Sequence, residues 1–226
     1  MTLLKLRRRP EPAVQMSERD RRLIWRTAAL LLDYPDEHLF TAVHRITEAA
    51  ADLPEDARIP LQRFLTHIAA SSPLDLAQQY VETFDMRRRS SMHLTFYAYG
   101  DTRKRGMALL RFKHAYRHAG VELDDRELPD HLPVLLEFAA MVDPIGGERL
   151  LGEHIPVIEL LRLSLSDNGS PYADVVAAVV ATLPPLTVAD RRRITELAAA
   201  GPPDEEVGMD PYTMDPALFD GSQARR

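Results

Sequence analysis

The sequence predicts an all-α fold, a single-domain bundle of about eight to ten helices. Three observations carry this. Nearly every stretch between turn signals repeats apolar residues at i, i+3, i+4 and i+7, the spacing of one helix face, rather than alternating as a half-buried strand does. Ser, Asp and Thr caps and Ser-Pro pairs stand where those stretches begin, and glycine stands where a helix should stop. The chain has 226 residues, 45% of them hydrophobic, enough for one core that takes roughly 70% of the unfolded surface out of water.

Ser17, with Asp20 three residues on, caps a first helix carrying Leu23, Ile24, Ala28, Leu31 and Leu32. Tyr34-Pro35 ends it, because the residue before a proline disfavours the helical region. Asp36 starts a second helix with Leu39, Phe40, Val43, Ile46 and Ala50 on one face, and a third aligns Leu61, Phe64, Leu65 and Ile68. Ser72-Pro73 caps a fourth, whose stripe of Ala77, Tyr80, Val81 and Phe84 is closed by Asp85. An arginine-rich connection over 86–91 and the run 93–99 lead to Gly100-Asp101-Thr102, a turn with a cap, and then to a basic helix that stops at Gly120. The segment 130–142 is apolar nearly all round, as a helix in the middle of a bundle is, and Asp130 reads as its cap. Gly146-Gly147 opens a helix through Leu165 with Pro156 as an internal kink, and Ser170-Pro171 repeats the cap device before a Val-rich helix. Thr187 caps the last. Residues 1–17 read as a flexible basic N-terminus, 18–200 as the helical domain, and 201–226 as an acidic, disordered tail without periodicity.

The chain contains no cysteine, which excludes a disulfide framework, a thiolate metal site, cysteine-ligated iron–sulfur clusters and a cysteine nucleophile. The basic first residues lead into no apolar stretch, and no window reaches about 18 apolar residues, so neither a secretory signal nor a membrane span is expected. The expected location is the cytoplasm. No phosphate-cradling, dinucleotide-binding, zinc-protease or nucleophile-elbow motif occurs. The net charge of −6 conceals three zones: +4 over 1–22, +7 over 85–119 and −4 over 201–226. His114 and His118 could share a helix face as metal ligands, but without further ligands they read as solvated side chains. Glu127, Asp130 and His131 resemble an acid/base cluster, yet capping and the helix dipole account for their placement. The basic zone, with Tyr97 and Tyr99 as stacking surfaces, raises nucleic acid as a partner; the acidic chain as a whole and the lack of a recognition motif speak against it.

The run ELPDHLPVLLEF at 127–138 resembles the signature of the redox-enzyme maturation chaperones that serve molybdoenzymes, in particular the NarJ-type assembly chaperones, or delta chains, of respiratory nitrate reductase. YPDE at 34–37, YVETFD at 80–85, YGDTRKRG at 99–106 and SPYA at 170–173 follow the order of that family, so the resemblance covers most of 20–185. It implies an all-helical chaperone, not an enzyme, with no catalytic residue and no resident metal or cofactor. Its implied partner is the apo catalytic (alpha) subunit of nitrate reductase, chiefly the N-terminal segment, held for insertion of molybdenum cofactor and iron–sulfur clusters before membrane docking. Cofactor-delivery proteins are further implied partners; nucleic acid and stable membrane insertion are not. By position, the implied partner-binding residues are Tyr80, Phe84 and Asp85, then Gly100, Asp101, Arg103 and Arg105, then Glu127, Pro129, Asp130, His131 and Glu137. The sequence departs from the family at Phe96-Tyr97-Ala98-Tyr99, where an aromatic followed by Glu-His is expected, and its tail lacks a Trp-Glu-Glu ending. The alternatives are a chaperone for a dimethyl sulfoxide or formate-type reductase and a nucleic-acid-binding helical protein.

A client segment that forms an amphipathic helix needs an apolar groove with charges at its edge. The expected lining is Tyr80, Phe84, Leu94, Tyr97 and Leu110, with Arg103, Arg105, Glu127, Asp130 and His131 near the rim. Core packing explains Tyr80 and Phe84 equally well. An unperturbed His131 titrates near neutrality, so peptide affinity is expected to change between pH 6 and 8.

Overall fold

Caps read from the sequence start the first helices. Ser17 accepts from the backbone N–H of Asp20 and begins α1 (Glu18–Leu31), and Asp36 accepts from those of His38 and Leu39 and begins α2 (Glu37–Ala50). After α3 (Glu55–Ala70), Ser72 caps α4 (Pro73–Tyr80) with Pro73 at its first turn. That helix runs into one π-helical turn, Val81–Asp85, and a short 3-10 turn follows at Arg88–Ser90. Then come α5 (Phe96–Tyr99), α6 (Arg103–His118), α7 (Leu132–Met141), α8 (Pro144–Glu153), α9 (Ile155–Asp167), α10 (Tyr172–Val180) and α11 (Val188–Ala200). A reciprocal pair of hydrogen bonds between Thr187 and Asp190 caps α11. The computed structural model describes residues 16–100, 103–124 and 127–201. The expected flexible N-terminus (apart from Met16 and Ser17), the Asp101-Thr102 part of the expected turn and the tail beyond 201 lie outside the described residues. Within them the fold is all-α, and extended pairing is confined to an isolated antiparallel bridge between His93 and His131.

The core forms where apolar faces meet. α1 lies against α2, α7 and α10; α10 in turn packs on α3 and α9, α7 on α8, and α9 on α11. Trp25 is fully buried at the centre of α1, and its indole N–H donates to the Thr182 hydroxyl at 2.8 Å, which donates to the Val179 carbonyl at 2.6 Å. The one tryptophan thus enters the interior without an orphaned donor. As the sequence predicts, α7 is buried on most sides, with seven of its ten residues in the core.

Four local expectations are corrected. The single helix expected through Pro156 is two: α8 ends at Glu153, and α9 starts afresh at Ile155 with Pro156 in its first turn, where a proline lacks no bond. Asp143, rather than the glycine pair, starts α8 by accepting from Gly146 N–H at 2.9 Å. The Ser170 hydroxyl caps nothing and is buried without a hydrogen-bond partner among the described residues; the Ser170 carbonyl receives the Ala173 N–H instead. Asp130 does not cap α7 either, which begins two residues later.

Gly147 marks the closest approach of α8 to α7. A Cβ there would lie 2.3 Å from the Ala139 Cβ and 2.5 Å from its Cα, so the helices would have to separate. Gly147→Ala is expected to destabilise the fold by about 1–3 kcal/mol despite its better helix propensity, read as a lower urea midpoint; an unchanged midpoint would mean the α7–α8 contact is slack.

Candidate functional site

The site is organised by a carboxylate with no exposure to solvent. Between the turn at Pro129-Asp130 and the start of α7, His131 is extended and pairs with His93: Leu94 N–H donates to the Asp130 carbonyl at 3.0 Å and Leu132 N–H to the Met92 carbonyl at 2.9 Å. This turns the Asp130 side chain inward, fully buried. Its Oδ2 accepts from the Thr95 backbone at 3.0 Å and the Thr95 hydroxyl at 2.5 Å, and the Arg105 guanidinium lies 3.9 Å away. Its Oδ1 faces His93 Nδ1 at 3.5 Å. Arg105 also donates to the Thr95 hydroxyl and lies over the Phe96 ring. Burial by itself raises the Asp130 carboxyl, but the facing His93 ring and the two hydrogen bonds from Thr95 outweigh it and hold the group at about 2. Asp130 is therefore an anion that ties the loop before α5, the first turn of α6 and the entry to α7 together.

Beside this clamp runs a groove of about 480 Å³. One wall is a face of α6, Gly106, Leu109, Leu110, Lys113, Tyr116 and Arg117, at helical spacing. The other is formed by residues 121–124 and 127–129. Tyr116 links the two, since its hydroxyl donates to the Pro129 carbonyl at 2.7 Å. Leu110 and Leu128 are 45% and 41% exposed, unusual for leucines facing one groove. A smaller, apolar cavity of about 190 Å³ continues past Tyr116 and Leu123 to Val134, Phe138 and Val142. Only Phe112 and Tyr116 of α6 are fully buried, so this helix keeps an apolar stripe unpartnered by its own bundle. The arrangement suits an apolar helix face. Among the described residues no cluster of His, Asp and Glu is placed to hold a metal, and no helix is long and apolar enough to cross a membrane.

The structure divides the residues singled out from the sequence. Leu110, Glu127 and Pro129 meet in the groove. Tyr80 is buried, its hydroxyl bonded to the Leu32 carbonyl and its ring packed on Tyr34, Phe84 and Tyr172; Phe84 is half-buried in that cluster and Asp85 is exposed. Leu94 is core, and Tyr97 lies buried at a different cavity, between α9 and α11, with its hydroxyl on the Arg89 carbonyl. The five lining residues expected for one groove are thus spread over four places. Gly100 ends α5 at φ 53°, a conformation side chains disfavour, and Asp101 lies outside the described residues. Arg103 is exposed on α6, Arg105 belongs to the clamp, and Glu137 pairs with Arg26 of α1. Asp130 is no rim residue, because no face of it reaches solvent. His131 is half-buried with its ring 5.0 Å from that of His93; burial first, then repulsion from His93, lowers it to about 4 against the attraction of Asp130. It stays neutral from pH 6 to 8, and the expected change in that window does not come from it. Sequence reasoning missed His93, Thr95 and Tyr116, whose roles depend on contacts across the chain. The α6 stripe was readable, since 106, 109, 110 and 113 share one face.

A sequence model of the nitrate reductase delta subunit matches residues 50–178. The chain is 42% identical over 165 residues to nitrate reductase-like protein NarX of Mycobacterium tuberculosis (strain H37Rv), an alignment covering 71% of this chain and 24% of that protein. It is 31% identical over 179 residues to the "Probable nitrate reductase molybdenum cofactor assembly chaperone NarJ" of Bacillus subtilis, covering 74% of this chain and 92% of the relative. With the nitrate reductase molybdenum cofactor assembly chaperone NarJ of Escherichia coli K12 it shares 36% identity over 146 residues, 63% of this chain and 62% of the relative. The chain thus spans about a quarter of the NarX protein but nearly all of the B. subtilis chaperone.

Two outcomes follow from the clamp. Asp130→Ala strands the buried donors of Thr95 and should cost about 3 kcal/mol in urea unfolding at pH 7, with Asp130→Asn, which keeps an acceptor, costing less; equal costs would remove the charge from the account. For His131 the folded pKa lies below the unfolded one, so between about 6.5 and 4 the unfolded chain binds the extra proton and stability falls as pH falls. His131→Gln should flatten that slope. The Asp130 contribution has the depressed-carboxylate sign, present above about 4 and lost as pH drops towards 2.

Proposed function

The chain belongs to the nitrate reductase delta subunit family, and from that premise we propose that it is a system-specific assembly chaperone for the apo catalytic subunit of a respiratory nitrate reductase. In this reading it binds the subunit's N-terminal segment and keeps the subunit open to insertion of molybdenum cofactor and iron–sulfur clusters, before docking on the membrane, in the cytoplasm. It catalyses nothing. A chain without cysteine supplies no thiolate to a cluster, so the metal groups are the client's cargo.

The observation that supports this best is the groove between α6 and residues 121–124 and 127–129, with leucines exposed along it. Leu109, Leu110, Leu128 and Val121 would take the apolar face of a client helix, which supplies affinity by leaving water. Charged residues at the edge would set on-rate and register more than affinity. The work of Asp130 in this account is indirect, holding both walls in place; of the exposed family-motif residues, Glu127 lies in the groove and Arg103 on α6, while Asp85 lies away from it.

Calorimetric titration with a peptide of the first ~25 residues of the nitrate reductase catalytic subunit, long enough for several helical turns, tests the reading. Selective binding with a negative heat-capacity change, absent for a scrambled peptide, is expected, and Leu110→Asp should weaken it about tenfold or more while leaving the fold intact. Binding undiminished by Leu110→Asp would move the site elsewhere; no binding to this peptide but binding to one from another molybdoenzyme would change the client.

A further inference from the structure

A second cavity, between α9 and α11, shares no residue with the groove beside α6. We propose that its occupant is the chain's own segment following Gly201, with Asp204, Glu205 and Glu206 set against Arg89 and Val207 seated among the apolar residues. The cavity holds about 300 Å³ and is lined by Leu160 and Leu163 of α9, Ile194 and Leu197 of α11, and Tyr97. The Ser164 hydroxyl, also in the lining, is shielded from solvent and has no hydrogen-bond partner among the described residues. A shielded hydroxyl without a partner is uncommon in a finished interior. A backbone segment laid in the cavity brings both apolar side chains for the leucines and an N–H or carbonyl for Ser164.

What points to this occupant is where the described chain ends. Gly201, which stops α11, is itself part of the lining, so the residues after it start at the cavity's edge. A Cβ on Gly201 would meet the Arg89 guanidinium at 4.0 Å. Arg89 is exposed and forms no ion pair among the described residues. Pro202 and Pro203 follow, and then three consecutive carboxylates, Asp204, Glu205 and Glu206. Asp167 also lines the cavity and opposes an acidic segment, which makes pairing with Arg89 the condition for closure. Val207 comes six residues after Gly201, a reach of about 20 Å when extended. A segment tethered so closely acts at an effective concentration on the order of 1 mM, so that a contact with a Kd of about 0.1 mM is closed about nine-tenths of the time. Tyr97 donates its hydroxyl to the Arg89 carbonyl and stands two residues past Thr95. Closure therefore braces from outside a stretch of chain that Asp130 holds from inside.

The test uses the full chain. Because it has no cysteine, Gly208→Cys gives one attachment point for a benzophenone maleimide beside Val207. The labelled protein is irradiated at low micromolar concentration as an equal mixture of nitrogen-15 and unlabelled chains, and the cross-linked peptides are identified by mass spectrometry. Cross-links are expected within one chain, to residues 160–168 and 194–198. Neutralising the pairing from either side, by Arg89→Gln or by Asp204→Asn with Glu205→Gln and Glu206→Gln, should cut their yield about twofold, the effect of a tenfold weaker contact at that effective concentration. The two changes combined should cost no more than either alone, as expected for partners in one interaction. The second variant leaves residues 16–201 unaltered, so the comparison stands even if Arg89→Gln does not fold. Cross-links to the groove beside α6, cross-links between chains, no cross-links, or a yield indifferent to the neutralised carboxylates would each overturn the proposal.

Discussion

A carboxylate sealed from water holds the walls of the candidate site in place. Asp130 is held as an anion by two hydrogen bonds from Thr95 and by the cationic Arg105 and the His93 ring that face it at 3.9 and 3.5 Å. Those groups come from the loop before α5 and the first turn of α6, while Asp130 itself stands at the entry to α7. Leaving any one of them displaced would cost more than a surface contact returns, so the three segments have one mutual position. Acid-sensitivity and rigidity are two faces of that arrangement.

The groove inherits its shape from the clamp. α6 is attached to the bundle at few places: Arg105 at the clamp, Phe112 in the core, Tyr116 through the Pro129 carbonyl, and Arg111 through an ion pair with Glu153. Two of these reach residues 129–130, which also anchor the opposite wall. A helix so held can leave a second stripe of apolar residues uncovered without loosening the core, because Trp25, Tyr172 and the α7 leucines supply the stability elsewhere. The division of labour is physical. The core residues carry the stability of the fold, and the clamp sets where α6 stands.

Much of the helical order was legible in the sequence, and the reason is local. Ser17, Asp36, Ser72 and Thr187 cap their own helices through bonds spanning two or three residues, and the apolar spacing of α1, α2, α3 and α7 depends on nothing beyond the helix repeat. Ser170 and Pro156 show where such signals stop. The same Ser-Pro pair that caps α4 leaves the Ser170 hydroxyl idle, and a proline expected as a kink became a new start.

The sequence by itself determined an all-α bundle, its caps, its buried seventh helix and, through its motifs, its family, because each of these is encoded in spacings of a few residues or in a contiguous run. Only the tertiary structure decided what the motif residues do. Asp130, which spacing assigned to a cap, is a buried anchor; His131, expected to titrate near neutrality, is held neutral by burial and by its neighbour; Tyr80 and Tyr97 went to the core while Leu110 stayed in the open. Burial and charge environment are sums over contacts between segments far apart in the chain, here 35 residues between Thr95 and Asp130 and 111 between Arg26 and Glu137, and no local pattern carries that sum.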